Sequence, residues 1–174
     1  MTVPDVIGPR LRVLFCGINP GLYSEAVGHH FARPGNRFWR VLAEAGFTDG
    51  VLRPDDDREL LALGLGITNL VARASAQASE LGADELREGA RRLAAKVRRH
   101  RPAVVAFLGM GAYRTAFGRP RATIGLQPEA VGGVRVWLLP NPSGAQARYQ
   151  LADMVDAFGA LRDHVDHVDR EPDR

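Results

Sequence analysis

Four short apolar runs, separated by longer amphipathic stretches, dominate the hydrophobic pattern of the chain. Each run is bounded mostly by Gly or Pro, and we predict a buried β-strand for each of them, at residues 11–16, 66–70, 103–108 and 134–139. The third run does not alternate between apolar and polar residues. Such a run is typical of a parallel strand that is covered on both faces of its sheet.

The stretches between the runs show the three- to four-residue spacing of amphipathic helices. We predict five helices: one capped by Asn36 and ending at Gly46, and others at about 55–64, at about 84–100, after Gly111 and from Leu151. The last helix carries an apolar stripe that ends at Val165, and we expect the polar tail from His164 onward to be frayed.

Helices that alternate with buried strands predict an α/β fold, a three-layer sandwich with a central four-stranded, mainly parallel sheet. No internal repeat or linker divides the 174 residues, so we expect a single domain at 1–174. In open sheets of this kind, ligands bind beyond the carboxyl ends of the strands. This rule draws attention to the residues that directly follow or close a strand: 17–21, Asn69, 109–111 and 141–143.

Composition narrows the class of protein. The chain has no run of about eighteen apolar residues and no signal-peptide pattern, so we expect a cytoplasmic protein that does not contact a membrane. Its one cysteine, Cys16, excludes an internal disulfide and a multi-cysteine metal site. The net charge is +3, and Lys96 is the only lysine. This arginine excess is compatible with a polyanionic partner but does not by itself indicate one.

Residues 17–22 read Gly-Ile-Asn-Pro-Gly-Leu, directly after the first predicted strand. Two glycines and a proline shape a loop whose backbone can approach a ligand closely. Its one functional side chain is Asn19, whose amide donates and accepts hydrogen bonds but cannot remove a proton at neutral pH. From the residues alone, Asn19 either contacts a ligand or stabilises the turn before Pro20.

The segment at 28–39 concentrates two histidines, two arginines and three aromatic residues. His29 and His30 are adjacent and cannot easily reach one ion together, and no Cys or carboxylate lies beside them, so we predict no metal. Phe31 can stack on a planar ligand, whereas we expect Phe38 and Trp39 to belong to the core.

Two further segments follow predicted strands. At 140–149, Ser143 can meet a phosphate or cap the next helix, and an ordinary strand-to-helix connection is the alternative. At 109–114, Gly-x-Gly begins like a dinucleotide-binding fingerprint, but Arg114 occupies the third glycine position. No Ser-His-Asp order and no carboxylate pair stands out. The residues thus indicate a ligand cleft of amides, histidine and aromatic rings, without an obvious general base.

The motifs occur together and in a fixed order. They are Gly-Ile-Asn-Pro-Gly-Leu at 17–22, Gly-His-His-Phe at 28–31, Pro-Gly-Asn-Arg-Phe-Trp at 34–39, Thr-Asn-Leu-Val at 68–71 and Asn-Pro-Ser at 141–143. In this combination the chain closely resembles the family of mismatch-specific uracil-DNA glycosylases (Mug) and thymine-DNA glycosylases, from about residue 10 to about residue 161. Gly-Leu-Gln-Pro at 125–128 resembles the thymine-glycosylase branch.

The resemblance implies the uracil-DNA glycosylase fold and a monofunctional enzyme that flips a base out of double-stranded DNA and hydrolyses its N-glycosidic bond. It implies uracil in a G·U mispair as the substrate, with thymine and modified pyrimidines such as ethenocytosine as further candidates. The product is an abasic site for base excision repair. The resemblance also implies a monomer that needs neither a metal nor a cofactor.

Single residues receive roles from the same resemblance. Asn19 matches the catalytic asparagine that holds the attacking water, with its NH2 group donating elsewhere to fix the orientation. Phe31 matches the residue that stacks on the flipped base, Asn69 the one that binds the pyrimidine edge, and Ser143 the one that grips a phosphate. His30 matches a histidine that stabilises the leaving base or holds a loop.

Two positions depart from the family's pattern. Tyr23 stands where some relatives have a small residue, and a pocket-facing Tyr23 would exclude the thymine methyl group. Ala145 stands where bacterial Mug has a bulky wedge, so Gln146 and Arg148 are alternatives for filling the gap in the base stack. The remaining implied contacts are Gly17 and Ile18 in the pocket, through their backbone, and Asn141, Gly144, Ala145, Gln146 and Arg148 on the DNA.

Alternatives remain open. Asn19 stands where sister families carry a carboxylate, so a DNA mismatch- or lesion-binding module with weak catalysis is a second hypothesis. A nucleotide-binding α/β enzyme is a third and rests on the Gly-x-Gly at 109–111 alone. Arg33 and Arg37 are further candidates for phosphate contacts, whereas we interpret the arginine run at 91–101 as a solvated helix end.

Overall fold

The predicted strands form the centre of the computed structural model, which describes residues 2–143 and 149–170. Two 3₁₀ helices, Pro54–Leu63 and Ala78–Glu80, accompany the strands and α-helices. In chain order, the strands and α-helices are β1 (Val13–Gly17), α1 (Leu22–Val27), α2 (Phe38–Glu44), β2 (Leu65–Asn69), α3 (Ala83–His100), β3 (Val104–Leu108), α4 (Met110–Phe117), β4 (Gly125–Leu126), β5 (Arg135–Leu139) and α5 (Leu151–Arg170).

The sheet has five strands in the order β2-β1-β3-β5-β4. β1 pairs in parallel with β2 and with β3, and β3 pairs in parallel with β5, whereas β4 is antiparallel to β5. The α/β class with a mainly parallel sheet is therefore confirmed, and the expected count of four strands is corrected to five. The additional strand has only two residues, Gly125 and Leu126, which is too short for a hydrophobic pattern to predict.

A core cluster covers each face of the sheet. Successive side chains of a strand point to opposite faces, so each strand contributes to both clusters. On β1, Phe15 points into the core cluster formed with α2 and α5, where its ring stacks on that of Phe158. The neighbouring Leu14 points into a second cluster, which contains Leu93 of α3 and Tyr113 of α4. The expected three-layer sandwich is thus confirmed.

The end of α5 differs from its prediction. The helix continues to Arg170, past His164, where we expected the regular structure to end. Arg12, just before β1, holds this last part of the helix through ion pairs with Asp166 and Asp169, at 2.6 and 2.7 Å. Contacts between residues so far apart in the chain cannot be inferred from the polar character of the tail.

Local helix predictions need two further corrections. The segment that the pattern predicts as a helix at 55–64 is the 3₁₀ helix Pro54–Leu63, and α1 was not predicted. Asn36, the expected cap of α2, lies one residue before the N-cap Arg37, and its Oδ1 accepts a hydrogen bond from the backbone N–H of Phe38 at 3.0 Å. No helix in the described part of the chain is long and apolar enough to cross a membrane.

Candidate active site

A cavity of about 780 Å³ opens at the carboxyl edge of the sheet, where the loops that follow β1, β2 and β5 converge. Polar and apolar groups share its wall, and none of the described residues that line it carries a carboxylate. The described residues lining the cavity are Gly17, Ile18, Asn19, Pro20, Gly21, Ser24, His30, Phe31, Arg33, Asn36, Asn69, Ser75, Ala76, Gln77, Ala78, Ser79, Asn141 and Ser143.

The Asn19 carboxamide is held in one orientation in the cavity wall. Its Nδ2 donates to the backbone oxygen of Arg73 and to Ser75 Oγ, each at 2.8 Å. Both amide protons are therefore engaged, and no group in the described part of the chain donates to Oδ1. The oxygen is left as an acceptor for a water molecule or a ligand.

The loop after β2 provides the partners of Asn19. Ser75 Oγ donates to the backbone oxygen of Gln77 at 2.7 Å, so its own lone pairs face the Asn19 amide. Arg73 fastens the loop to α3 through a two-pronged ion pair with Glu85, with both distances 2.9 Å. Sequence reasoning missed this loop, because a run of Ala and Ser carries no distinctive chemistry.

Gly17 forms the floor between two predicted substrate contacts. A Cβ at this position would lie 2.7 Å from Asn69 Oδ1 and 3.3 Å from Cζ of Phe31. The backbone oxygens of Gly17 and Ile18 accept hydrogen bonds from Leu70 and Val71, at 2.8 and 2.9 Å. These bonds tie the loop after β1 to the loop after β2 and fix the floor of the cavity.

Phe31 stands at a strained backbone position beside this floor. Its φ is +51°, in the left-handed region that residues other than glycine rarely adopt. One side of its ring packs against Phe38, with the centroids 4.1 Å apart, while the residue also lines the cavity. Hydrogen bonds hold the flanking backbone: Trp39 Nε1 donates to the oxygen of His30, and the nitrogen of Ala32 donates to Ser24 Oγ, each at 3.1 Å.

The two histidines have separate partners. His30 is buried, and its Nε2 donates to the backbone oxygen of Pro4 at 2.8 Å, while its Nδ1 lies 3.4 Å from Asn69 Nδ2. Burial lowers the pKa of His30. His29 Nδ1 lies 3.2 Å from a carboxylate oxygen of Asp57 instead. Within residues 2–143 and 149–170, no three His, Cys, Asp or Glu side chains are grouped in a way that could hold a metal ion.

The segment after β5 also borders the cavity, with Asn141 and Ser143 among its lining residues. Asn141 Oδ1 accepts a hydrogen bond from the backbone nitrogen of Ser143 at 3.0 Å, which closes a tight turn. Arg37 donates to the backbone oxygens of Tyr149 and Ser143, at 2.6 and 3.4 Å. The guanidinium of Arg37 therefore holds the backbone at 143 and 149, and we now expect this supporting role for it in place of the predicted phosphate contact. Arg33, in contrast, is exposed at the cavity rim.

Several other predicted contacts lie elsewhere. Tyr23 is 49% exposed on α1 and does not line the cavity with the described residues, which corrects its expected place in the pocket. The neighbouring Ser24 points inward instead. Four predicted DNA contacts lie outside the described residues: Gly144, Ala145, Gln146 and Arg148.

The Gly-x-Gly segment after β3 has a packing role. Gly109 has a φ of +130°, and a Cβ there would lie 3.0 Å from Cδ1 of Ile18, so the glycine lets Ile18 pack against the end of the strand. Gly111 is exposed on α4, and neither glycine lines the cavity. This arrangement gives the dinucleotide-binding hypothesis no support. The arginine run at 91–101 ends just before β3 begins, at the edge of the sheet away from the cavity.

Comparisons with known proteins identify the fold and the family of the chain. Among solved structures, the solution NMR structure of a candidate uracil DNA glycosylase from Methanosarcina acetivorans is similar, with a TM-score of 0.63 and 20% identity over 95% of this chain and 98% of that one. At this identity the likeness shows the fold. The family model for the uracil DNA glycosylase superfamily matches residues 4–162, most of the chain. The chain therefore belongs to the uracil DNA glycosylase superfamily.

Proposed function

We propose that the chain is a monofunctional, mismatch-specific DNA glycosylase that excises uracil from G·U mispairs and leaves an abasic site. The superfamily gives the coarse activity, that of a DNA glycosylase. One observation carries the finer proposal: the Asn19 carboxamide faces a cavity with its NH2 group engaged and its oxygen available to hold water. The volume of about 780 Å³ is in the range of small-molecule sites, about 300–1,000 Å³.

The reaction breaks the bond between C1′ of the deoxyribose and N1 of the base. The bonding electrons leave with the base as an anion, water oxygen bonds to C1′, and the water proton passes to solvent or to the departing base. Asn19 Oδ1 accepts a hydrogen bond from this water and so directs a lone pair of the water oxygen at C1′. Phe31 stacks on the extruded base, and Asn69 donates to its developing negative charge.

Selectivity for mispairs follows from the cost of extrusion. A base must leave the duplex before its glycosidic bond can be reached, and a mispaired base costs less to flip out. Because no carboxylate is among the described lining residues, the rate depends strongly on how well the base leaves. We therefore expect uracil, 5-substituted uracils and ethenocytosine to be better substrates than thymine.

The lack of a carboxylate among the described lining residues also favours one alternative, a mismatch- or lesion-binding module with weak catalysis. The proposed partner is double-stranded DNA in either case, bound by a cytoplasmic monomer that associates with the nucleoid. Ser143 and Arg33 border the cavity and are the proposed phosphate contacts among the described residues. A single-turnover assay on a G·U duplex separates the two functions, because only the enzyme yields abasic product.

The decisive experiment compares Asn19→Ala with the wild type and with Thr115→Ala, a control on α4 that does not line the cavity. We expect Asn19→Ala to slow excision about 100-fold or more while DNA affinity changes little. Thr115→Ala should behave as the wild type. Normal excision by Asn19→Ala contradicts the proposed mechanism, and stoichiometric binding by the wild type without product supports the binding module.

A further inference from the structure

Residues 3–6, called here the strap, cross the free edge of the sheet before β1 begins. Val6 and Ile67 of β2 exchange two backbone hydrogen bonds, at 2.9 and 2.8 Å. Val3 and Val6 are both buried. β2 is an edge strand, so the strap covers a position where its backbone would otherwise be unpaired.

A polar cluster anchors the middle of the strap. The Asp5 carboxylate accepts hydrogen bonds from Thr68 Oγ1 at 2.8 Å and from Lys96 Nζ at 2.5 Å. Lys96 Nζ also donates to Thr68 Oγ1 at 2.8 Å, which closes a three-membered network between the strap, β2 and α3. Thr68 directly precedes Asn69, so the anchor of the strap and the wall of the cavity are adjacent in β2.

The position of Pro4 determines which nitrogen of His30 carries a proton. A backbone oxygen can only accept, so His30 Nε2, 2.8 Å from the oxygen of Pro4, must be protonated. In the neutral ring, Nδ1 then has a lone pair and accepts a hydrogen bond from Asn69 Nδ2 at 3.4 Å. Protonation of Nδ1 would set two donors against each other and favour rotation of the Asn69 carboxamide by about 180°.

The surroundings of His30 contain charges of both signs. Asp5 from the strap and Asp57 from the 3₁₀ helix favour the protonated ring, and His29 disfavours it. Burial is the largest influence and lowers the pKa of His30, so the neutral ring predominates at neutral pH. Burial therefore favours the neutral ring of His30, and the hydrogen bond to Pro4 places the proton of that ring on Nε2.

We propose that the strap is a specificity-determining device: Pro4 and Asp5 act as positioning residues that fix the tautomer of His30 and, through it, the carboxamide of Asn69. With one amide proton on His30, Asn69 presents its oxygen over Gly17 and its second amide proton to the cavity. This acceptor–donor pair complements the N3–H and C4=O edge of uracil, whereas cytosine presents the opposite pattern. The inference rests on the proposed function, since it assigns a base to this cavity.

The first test observes the tautomer in the full chain without DNA. Long-range ¹H–¹⁵N correlation NMR distinguishes the two neutral tautomers of each histidine ring, and a His30→Gln variant assigns the His30 signals. We expect an Nε2-protonated ring for His30 in the wild type at neutral pH. In Asp5→Ala we expect its signals to move toward a mixture of tautomers, while the exposed Asp84→Ala control leaves them unchanged.

The second test measures what the tautomer does to base binding. A duplex with 2′-fluoro-2′-deoxyuridine opposite guanine resists hydrolysis and reports base binding, whereas a duplex with an abasic-site analogue reports only contacts to the DNA backbone. We expect Asp5→Ala to weaken the first complex about tenfold and the second hardly at all. If Asp5→Ala does not fold, Lys96→Met is the second variant, because it removes the cation of the anchor and keeps the bond between Asp5 and Thr68. We expect it to weaken the first complex more than the second, and equal losses overturn the inference.

Three outcomes overturn the inference. One is a wild-type His30 that carries its proton on Nδ1 or on both nitrogens at neutral pH. Another is an equal loss of both complexes in Asp5→Ala, because the strap then only supports the fold; the third is no loss of either complex. Failure of the proposed function looks different: the tautomer is as stated, but excision does not depend on Asn19.

Discussion

Replacing Gly17 by alanine tests the floor of the cavity most directly. Gly17 ends β1 in extended backbone, so an alanine there adds a methyl group without backbone strain. The new Cβ would lie 2.7 Å from Asn69 Oδ1 and 3.3 Å from Cζ of Phe31. Both neighbours are proposed contacts of the flipped base, so the methyl group meets the two sides of the base site at once.

The expected magnitude follows from these distances. Ordinary contact with a Cβ begins at 3.4 Å, so Asn69 Oδ1 must retreat by about 0.7 Å and the Phe31 ring by about 0.1 Å. The His30 contact restrains Asn69, and Phe38 behind the ring restrains Phe31. Overpacking of this kind costs about 1–3 kcal/mol of stability. A misplacement of this order at a reacting centre costs about 100-fold in rate.

The assay is single-turnover excision from a G·U duplex with enzyme in excess, together with thermal unfolding. The matched control is Gly111→Ala on α4, where an added Cβ has no neighbour within 4 Å. We expect Gly17→Ala to lose about 100-fold in excision with a modest drop in Tm, and Gly111→Ala to keep its activity. Excision at the wild-type rate by Gly17→Ala would refute the placement of the base between Asn69 and Phe31.

Two further predictions concern stability and DNA affinity. Burial lowers the pKa of His30 and His164, so the unfolded chain binds more protons below the ordinary histidine pKa of 6.5 and stability falls as the pH drops below that value. Urea unfolding at about pH 7.5 and 5.5 measures this loss, which His164→Asn should reduce; equal stabilities contradict it. Arg33→Ala should lower the log–log salt slope of DNA binding by about one, whereas Arg37→Ala should leave this slope unchanged and lower Tm. A lowered slope in Arg37→Ala together with an unchanged slope in Arg33→Ala refutes both roles.

The strands could be predicted from sequence because buried parallel strands leave a distinct record, a short apolar run between chain breakers. Local sequence patterns predict less of the structure at the periphery of the fold. The two residues of β4 are specified by pairing with β5, and the last turns of α5 by ion pairs to Arg12. Such contacts join residues that are distant along the chain, so no local pattern contains them.

Within the candidate site, side chains with their own chemistry could be found and supporting groups could not. Asn19 and Asn69 were identified because they close strands of a parallel sheet and match a family motif. The partner that orients Asn19 is a backbone oxygen, that of Arg73, and any residue could supply it. Tyr23 was placed wrongly because a turn of helix intervenes: α1 directs Ser24 inward and leaves Tyr23 outside.

Two amide side chains of the cavity, those of Asn19 and Asn69, share one physical property, which is that protein partners hold them before any DNA arrives. Asn19 donates to Arg73 and Ser75, and Asn69 donates to a histidine that is itself held by Pro4. Amides cannot take a proton, so they can help the reaction only through fixed dipoles, and fixed dipoles act only if they need not reorient in the transition state. Interactions that restrain an amide therefore matter as much to this chemistry as the amide itself, which is why we locate specificity partly in a strap that touches no base.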